Sequence, residues 1–450
     1  MKIFKSKAPG PTQPQSIIAS PDPALIDADL TAPRGIPLGA GAAGAEAPFT
    51  GYTPDAPEYK RIKFALFVAG FVTFAQLYET QVLLPNISKS FSIPPATASL
   101  TVSLATLALA IAMFFVGPSS ERLGRRPIVL ISLLSTSVIG VALAFSPTWH
   151  ILMIGRFLQG LALAGLPAVA TAYLAEEISP KYLPQAAGSY VAGTAIGGML
   201  GRIISGIISN FVDWHVTIGI MGAVGMLLTG LVWALLPVQS GFIRAEPGLK
   251  ALLHNTKAVL TEPGMAVLFL VAGTALGAYQ SIFNMVPYRL TSAPYLLATW
   301  LVSMIYLVNL FGSFSATAAG KLASRFGRRA VAPIAGLIFL VGALATLARP
   351  LWAVLAGLII FTIGFFAVHS VAAGWVTARA VAGVGATGQA SSAYSIVYYA
   401  GGSFFGTISG LCWSFWGWPG VVVLSGSLTA LVIILALILH RIPPIHPDGY

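Results

Sequence analysis

The chain has 450 residues, 56% of them hydrophobic and 9% charged, with a mean hydropathy of +0.83. That composition excludes a soluble globular domain and points to a polytopic membrane protein. The net charge of +11 would suit nucleic acid in a soluble protein, but here the basic residues lie between apolar runs, where they set topology and face anionic lipid, so no nucleic-acid partner is expected.

Residues 1–58 are rich in Pro, Gly, Ala and acidic residues and have no hydrophobic periodicity, as expected of a disordered tail. The basic start, Met1 to Lys7, has the charge of a secretory n-region, yet Pro9, Pro11 and Pro14 occupy the place of the apolar core, and no cleavage is expected. Apolar stretches follow near 63–84, 97–117, 127–146, 150–175, 184–209 and 215–236, then 265–286, 297–319, 330–348, 352–376, 388–412 and 418–440. Each has about the twenty residues that cross a hydrocarbon core about 30 Å thick. The expected class is an all-α membrane protein of twelve transmembrane helices. Its N-terminal bundle covers 59–237, its central loop 238–263, its C-terminal bundle 264–440 and its closing tail 441–450. The single Cys412 sits within an apolar stretch, which leaves no intrachain disulfide, paired zinc motif or CxxC.

Lys60, Arg61 and Lys63 precede the first span, Arg122, Arg125 and Arg126 lie between the second and third, and Lys321, Arg325, Arg328 and Arg329 between the eighth and ninth. The opposite set of loops holds little beyond Lys89 and Arg349, so both termini and the central loop are expected on the cytoplasmic side. The two halves repeat. Gly117–Arg126 reads GPSSERLGRR and Gly320–Arg329 reads GKLASRFGRR, each expected to be a short basic loop after an apolar run. Tyr190, Gly197, Gly198, Ser205, Gly206 and Trp214 recur 204 residues later as Tyr394, Gly401, Gly402, Ser409, Gly410 and Trp418. Two parallel six-helix repeats place a site at their interface near the bilayer midplane.

Gly117, Glu121, Arg122, Gly124, Arg125 and Arg126 fit every fixed position of G-x-x-x-D/E-R-x-G-R/K-R/K, and on them the chain resembles the major facilitator superfamily of secondary transporters. The second copy keeps Gly320, Arg325, Gly327, Arg328 and Arg329 but has Ser324 where an acid would stand. Leu152, Arg156, Gln159 and Gly160 match that superfamily's pattern in the fourth helix. Gly193, Gly197, Gly198 and Gly201 resemble the glycine motif of drug:proton antiporters, although Gly198 replaces its proline and Arg202 a glycine. The run from Phe71 to Pro85 and the segment Ala175 to Pro180 are similar to the YnfM-like branch of efflux carriers. The resemblance implies a monomeric carrier in a bacterial plasma membrane, driven by a proton gradient and using no cofactor.

Gly117 and Gly124 suit close helix packing and a tight turn, while Glu121 and the arginines need partners, for which Glu176 and Glu177 are candidates. Such pairs would lock the cytoplasmic face and break when the halves rock; the plainer reading is that the arginines only set topology. Inside the spans three charges stand out, Glu79, Arg156 and Arg202. Counting about 1.5 Å per residue puts all three in the outer half of the bilayer. Thr73, Gln76, Glu79 and Thr80 share an arc of roughly 120° that should face a wet cavity. Tyr190, Thr194, Gly198 and Arg202 form a row for substrate, beside a small-residue row, Gly193, Gly197, Gly201 and Ser205, for helix packing. Glu79 fits three roles: proton carrier, structural ion pair, or direct substrate contact. The arginines suit a counter-ion to Glu79 or a clamp on a substrate anion.

The second half offers Gln280, Asn284, Tyr288, Asn309, His369, Tyr394 and Tyr398, which suit hydrogen bonding and stacking with a small molecule, or interhelical packing. His369 lies toward the cytoplasmic end of its helix, away from Glu79, and reads first as hydrogen-bonded scaffold. Pro167 and Pro287 read as kinks or helix terminators rather than site residues. The function expected is proton-coupled export of a small organic solute, with uptake of a sugar or organic acid by symport or facilitation as the alternative. A membrane-embedded transferase would need a nucleophile with a base, or metal-ligand spacing, and neither H-E-x-x-H nor G-x-S-x-G occurs, so no metal site is expected. A non-transporting sensor on the same scaffold would bind ligand without flux.

Overall fold

A computed structural model describes residues 50–240, 256–384 and 387–443; most of the expected tails and of the central loop lie outside them. The described residues form long helices: α1 (Pro57–Tyr78), α2 (Pro95–Leu123), α3 (Arg125–Leu143), α4 (Trp149–Glu177), α5 (Leu183–Ile208), α6 (Trp214–Leu235), α7 (Pro263–Thr291), α8 (Thr299–Phe326), α9 (Arg328–Ala345) and α10 (Leu351–Arg379). The last helix, Thr387–Arg441, holds 55 residues and contains a non-helical residue, Gly417, at φ 60°. It is two arms, here α11 and α12. Gly406, before the bend, meets Gln280 and Asn284, and Ser425, after it, donates to the Ala278 carbonyl at 3.0 Å. The chain therefore turns back along α7 and supplies a twelfth crossing.

Local chemistry sets the helix ends. Proline stands in the first turn of α1, α2, α5 and α7, where a missing N–H costs nothing. Asp213 caps α6 through the His215 N–H at 2.8 Å, and Glu262 caps α7 through the Met265 N–H at 2.5 Å. At the basic motifs the structure corrects the expected loop. α2 runs through Gly117 to Leu123 and α8 through Gly320 to Phe326, and the breaks come only at Gly124 (φ 88°) and Gly327 (φ 85°). Those two glycines adopt a backbone that disfavours any side chain. Gly117 and Gly320 have nothing within 4 Å of a built Cβ, so the close packing expected of Gly117 is not there. α4 is interrupted at Ala164, three residues before Pro167, which has no N–H to give the preceding turn.

The glycine row of α5 packs as expected. A Cβ on Gly197 or Gly201 would lie 2.5 Å from the Cα of Phe71 or Ala75, so α1 and α5 touch backbone to backbone. The repeat shows the same device, with Gly401 of α11 against the Gly273 backbone of α7. The halves meet on the side away from the basic motifs. Tyr288 donates to the Leu84 carbonyl at 3.0 Å, Ser403 to the Ser103 carbonyl at 2.5 Å and Ser303 to the Ile203 carbonyl at 3.3 Å. Gly410 sits against Ala96. Among the described residues, every hydrogen bond between the halves lies on that side.

Candidate functional site

The N-terminal half holds a sealed polar core. Gly160 lets α4 approach α2 so closely that an added Cβ would strike Ala105, and one turn away Arg156 Nε reaches the Thr101 carbonyl at 2.8 Å. Its terminal nitrogens donate to the Gln76 carbonyl at 3.2 Å, the Leu77 carbonyl at 2.9 Å and Gln159 Oε1 at 2.6 Å. The α-helical part of α1 ends at Tyr78, and the last carbonyls of a helix have no N–H of their own. Arg156 thus caps a helix that breaks inside the membrane, and the break, a 3₁₀ turn over Glu79–Gln81, carries the acid.

Glu79 Oε1 lies 3.8 Å from Arg156 Nη1, and both carboxyl oxygens are buried without a hydrogen-bond donor. The arginine's donors go to neutral acceptors while the acid beside it has none. The arc of Thr73, Gln76, Glu79 and Thr80 does not face a wet cavity in this conformation, since each is at most 1% exposed. Gln76 Nε2 donates to Ser137 Oγ of α3 at 2.9 Å, and Gln159 Nε2 donates to the Thr136 carbonyl at 3.3 Å and to Gln76 Oε1 at 3.4 Å, which ties both glutamines into the bundle interior. An isolated helix wheel cannot see that α3 and α4 close over this face.

Arg202 is brought not to Glu79 but to Gln81, whose Oε1 accepts from its Nε at 2.5 Å; Arg202 Nη1 donates to the Gly198 carbonyl. Gln81 Nε2 then crosses to the second half, donating to Asn284 Oδ1 at 2.6 Å and to Gln280 Oε1 at 3.2 Å. The guanidinium of Arg202 lies 4.2 Å from the ring centre of Tyr78 and 4.9 Å from that of Tyr306. Gln81, Tyr78 and Tyr306 had no sequence signal of their own. Gln81 falls off the polar arc if α1 continues as a helix, and only the break turns it toward α7.

In the second half Tyr279 donates to Asn309 Oδ1 at 2.6 Å and stacks on Phe365 at 4.2 Å. His369 lies 2.9 Å from the Tyr394 hydroxyl through Nδ1 and 4.7 Å from the Tyr398 ring, an aromatic wall on α10 and α11. On α5, Tyr190 is buried and Thr194 half-buried, its hydroxyl donating to the Val191 carbonyl at 2.7 Å.

On the basic-motif side Arg125 Nε pairs with Glu176 at 3.1 Å, and Gln239 donates to the same carboxylate at 3.1 Å. Arg126 donates to the Leu236 and Trp233 carbonyls at the end of α6, and Glu177 accepts from the Ser240 N–H at 2.8 Å. Glu121 is half-buried and Arg122 exposed. A pair with no sequence signal, Glu262 and Arg379, joins α7 to α10 at 2.5 Å. Burial pushes the Glu262 carboxyl up, but hydrogen bonds from Arg379 and the Met265 and Gly264 N–H groups, with the arginine's charge, hold it below the ordinary carboxylate value. Among the described residues no cluster of His, Cys, Asp and Glu could hold a metal ion.

Known proteins agree with this architecture. The chain is 40% identical over 378 residues to the MFS-type transporter YybF of Bacillus subtilis, covering 84% of this chain and 92% of that protein. It is 37% identical over 389 residues to the inner membrane transport protein YnfM of Escherichia coli, covering 86% and 92%. Among solved structures it superposes on a bacterial homologue of the human lysosomal transporter Spinster in an inward-facing, unoccupied conformation, with a TM-score of 0.67 at 15% identity over 86% of this chain and 95% of that one. The nucleoside transporter NupG gives a TM-score of 0.67 at 15% identity, covering 84% and 99%. The sequence profile of the Major Facilitator Superfamily matches residues 66–406, and the chain belongs to that superfamily of multi-pass membrane transporters.

Proposed function

We propose that the protein exports a small organic solute in exchange for protons, as a monomer in the plasma membrane with both termini cytoplasmic, and that Glu79 carries the proton. The observation that carries this reading is the Glu79 carboxyl, buried with neither oxygen bonded beside an arginine whose donors serve other groups. A carboxylate kept there pays a desolvation cost that a proton removes. Glu79 also sits two residues from Gln81, a side chain that bridges the halves. When the halves part on that side, Gln81 loses Gln280 and Asn284 and the 79–81 turn becomes wet. The state of the acid is then linked to which side is open, which is what exchange requires. Arg202, with the tyrosines around it, favours an anionic, zwitterionic or hydroxyl-rich solute over a cation.

The test is proton flux in proteoliposomes under an imposed pH gradient, with sugars, organic acids, amino acids and drugs added to wild type and Glu79→Gln. Solute-evoked flux that the variant abolishes while still binding the solute is the expected result. Solute movement without protons, unimpaired in Glu79→Gln, would remove the exchange reading and leave Glu79 a structural neighbour of Arg156.

A further inference from the structure

The second copy of the basic motif has lost its acid, Ser324 standing where the first copy has Glu121. In the first copy Arg125 has Glu176 and Arg126 has the end of α6. In the second, Arg329 donates to the Ile442 carbonyl at 2.6 Å, but among the described residues Lys321, Arg325 and Arg328 have no acidic partner. Lys321 and Arg325 are exposed. Beside them lies a groove of about 580 Å³ between α8, α9 and α10, walled by Phe314, Ala318, Leu322, Phe326, Ile334 and Ala367 among others. Lys321 and Arg325 precede the groove residues Leu322 and Phe326, and the Arg325 guanidinium lies 5.1 Å from the ring centre of Phe326, which puts that cation at the basic-motif end of the apolar slot.

Within a bilayer an apolar groove gains little selectivity from hydrophobicity, because lipid tails are as apolar as its walls; shape and charge must choose the occupant. We propose that this groove binds one anionic phospholipid from the leaflet on the basic-motif side, with an acyl chain between α8 and α9 and the headgroup at Lys321, Arg325 and Arg328. Cations at a membrane surface attract anionic lipid, and among the described residues these three have no carboxylate in the place that Glu176 takes beside Arg125 in the first copy. A zwitterionic lipid neutralises its own phosphate and is disfavoured. Free phosphate would use the cations but not the slot.

Native mass spectrometry of the delipidated full chain in nonionic detergent, given equal amounts of dioleoyl phosphatidylglycerol and dioleoyl phosphatidylcholine, tests this. Wild type is expected to retain one phosphatidylglycerol in preference to phosphatidylcholine, and inorganic phosphate should not displace it. Neutralising each cation should weaken the preference about fivefold, so that Lys321→Gln/Arg325→Gln/Arg328→Gln abolishes it. Ala318→Trp, which fills the slot and keeps every charge, should lose the bound lipid while unfolding at the wild-type temperature in lipid-free detergent. Equal retention of the two lipids, displacement by phosphate, or a preference that survives either variant would overturn the proposal.

Discussion

Gln81 makes two of the five hydrogen bonds that join the halves among the described residues, and its removal should shift the balance between conformations. Its Nε2 makes two hydrogen bonds across the halves, to Asn284 at 2.6 Å and to Gln280 at 3.2 Å. Each is worth about 1 kcal/mol net. Gln81→Ala therefore costs the closed side about 2 kcal/mol relative to the open one, where water serves the same groups, which is about a thirtyfold gain in open population. Ser303 reports on it, being fully buried and seated against Gly206 of the other half. In a Cys412→Ala, Ser303→Cys background, a membrane-impermeant maleimide added on the side away from the basic motifs should label the Gln81→Ala protein about thirtyfold faster when the open state is the minor one. Asn284→Ala should give part of the same gain, and the double variant less than the sum, because the two share a bond. A change below about twofold would refute the role given to Gln81.

Three further outcomes follow from the same contacts. Gly197→Val places a Cβ 2.5 Å from the Phe71 Cα and should lower the unfolding temperature in detergent by the equivalent of about 1–3 kcal/mol; Gly374→Val, where a Cβ meets nothing within 4 Å, should cost less. Arg156→Lys trades a fork serving four acceptors for a single ammonium and should lose about 2–4 kcal/mol, whereas Glu79→Gln breaks no hydrogen bond and should be milder; calorimetry showing the reverse order would contradict the core described above. Glu262 is held below its unfolded value, so its contribution to stability is complete above the unfolded pKa of about 4.3 and is lost as pH falls through the lower folded value. Wild type should accordingly lose more thermal stability than Glu262→Gln between about pH 6 and about pH 3.

Features that depend on one helix or on the repeat were legible before the structure. The glycine row at 193, 197 and 201 predicted a backbone contact because three or four residues return a helix to the same face, and α1 fills it. Arg156, Gln159 and Glu79 were identifiable because charge and amide groups in an apolar run are costly and need partners. The wet arc on α1 was misread for a specific reason: a helical wheel carries no neighbours, and α3 and α4 close over that face, where Ser137 and Gln159 bond Gln76. The motif glycine at 117 was misread because a glycine that ends an apolar stretch by composition need not end the helix.

Composition, spacing and the internal repeat by themselves determined that this chain crosses a membrane in two related bundles, because hydrocarbon forces each backbone segment to satisfy its own hydrogen bonds and leaves twenty-residue apolar runs no alternative to helix. Only the tertiary structure decided which polar groups meet. Whether Arg156 serves Glu79 or the end of α1, and whether Gln81 or Glu79 takes Arg202, depends on distances of a few ångströms set by the crossing of α1, α4, α5 and α7. Those crossings come from the packing of many small residues at once, which no single motif encodes.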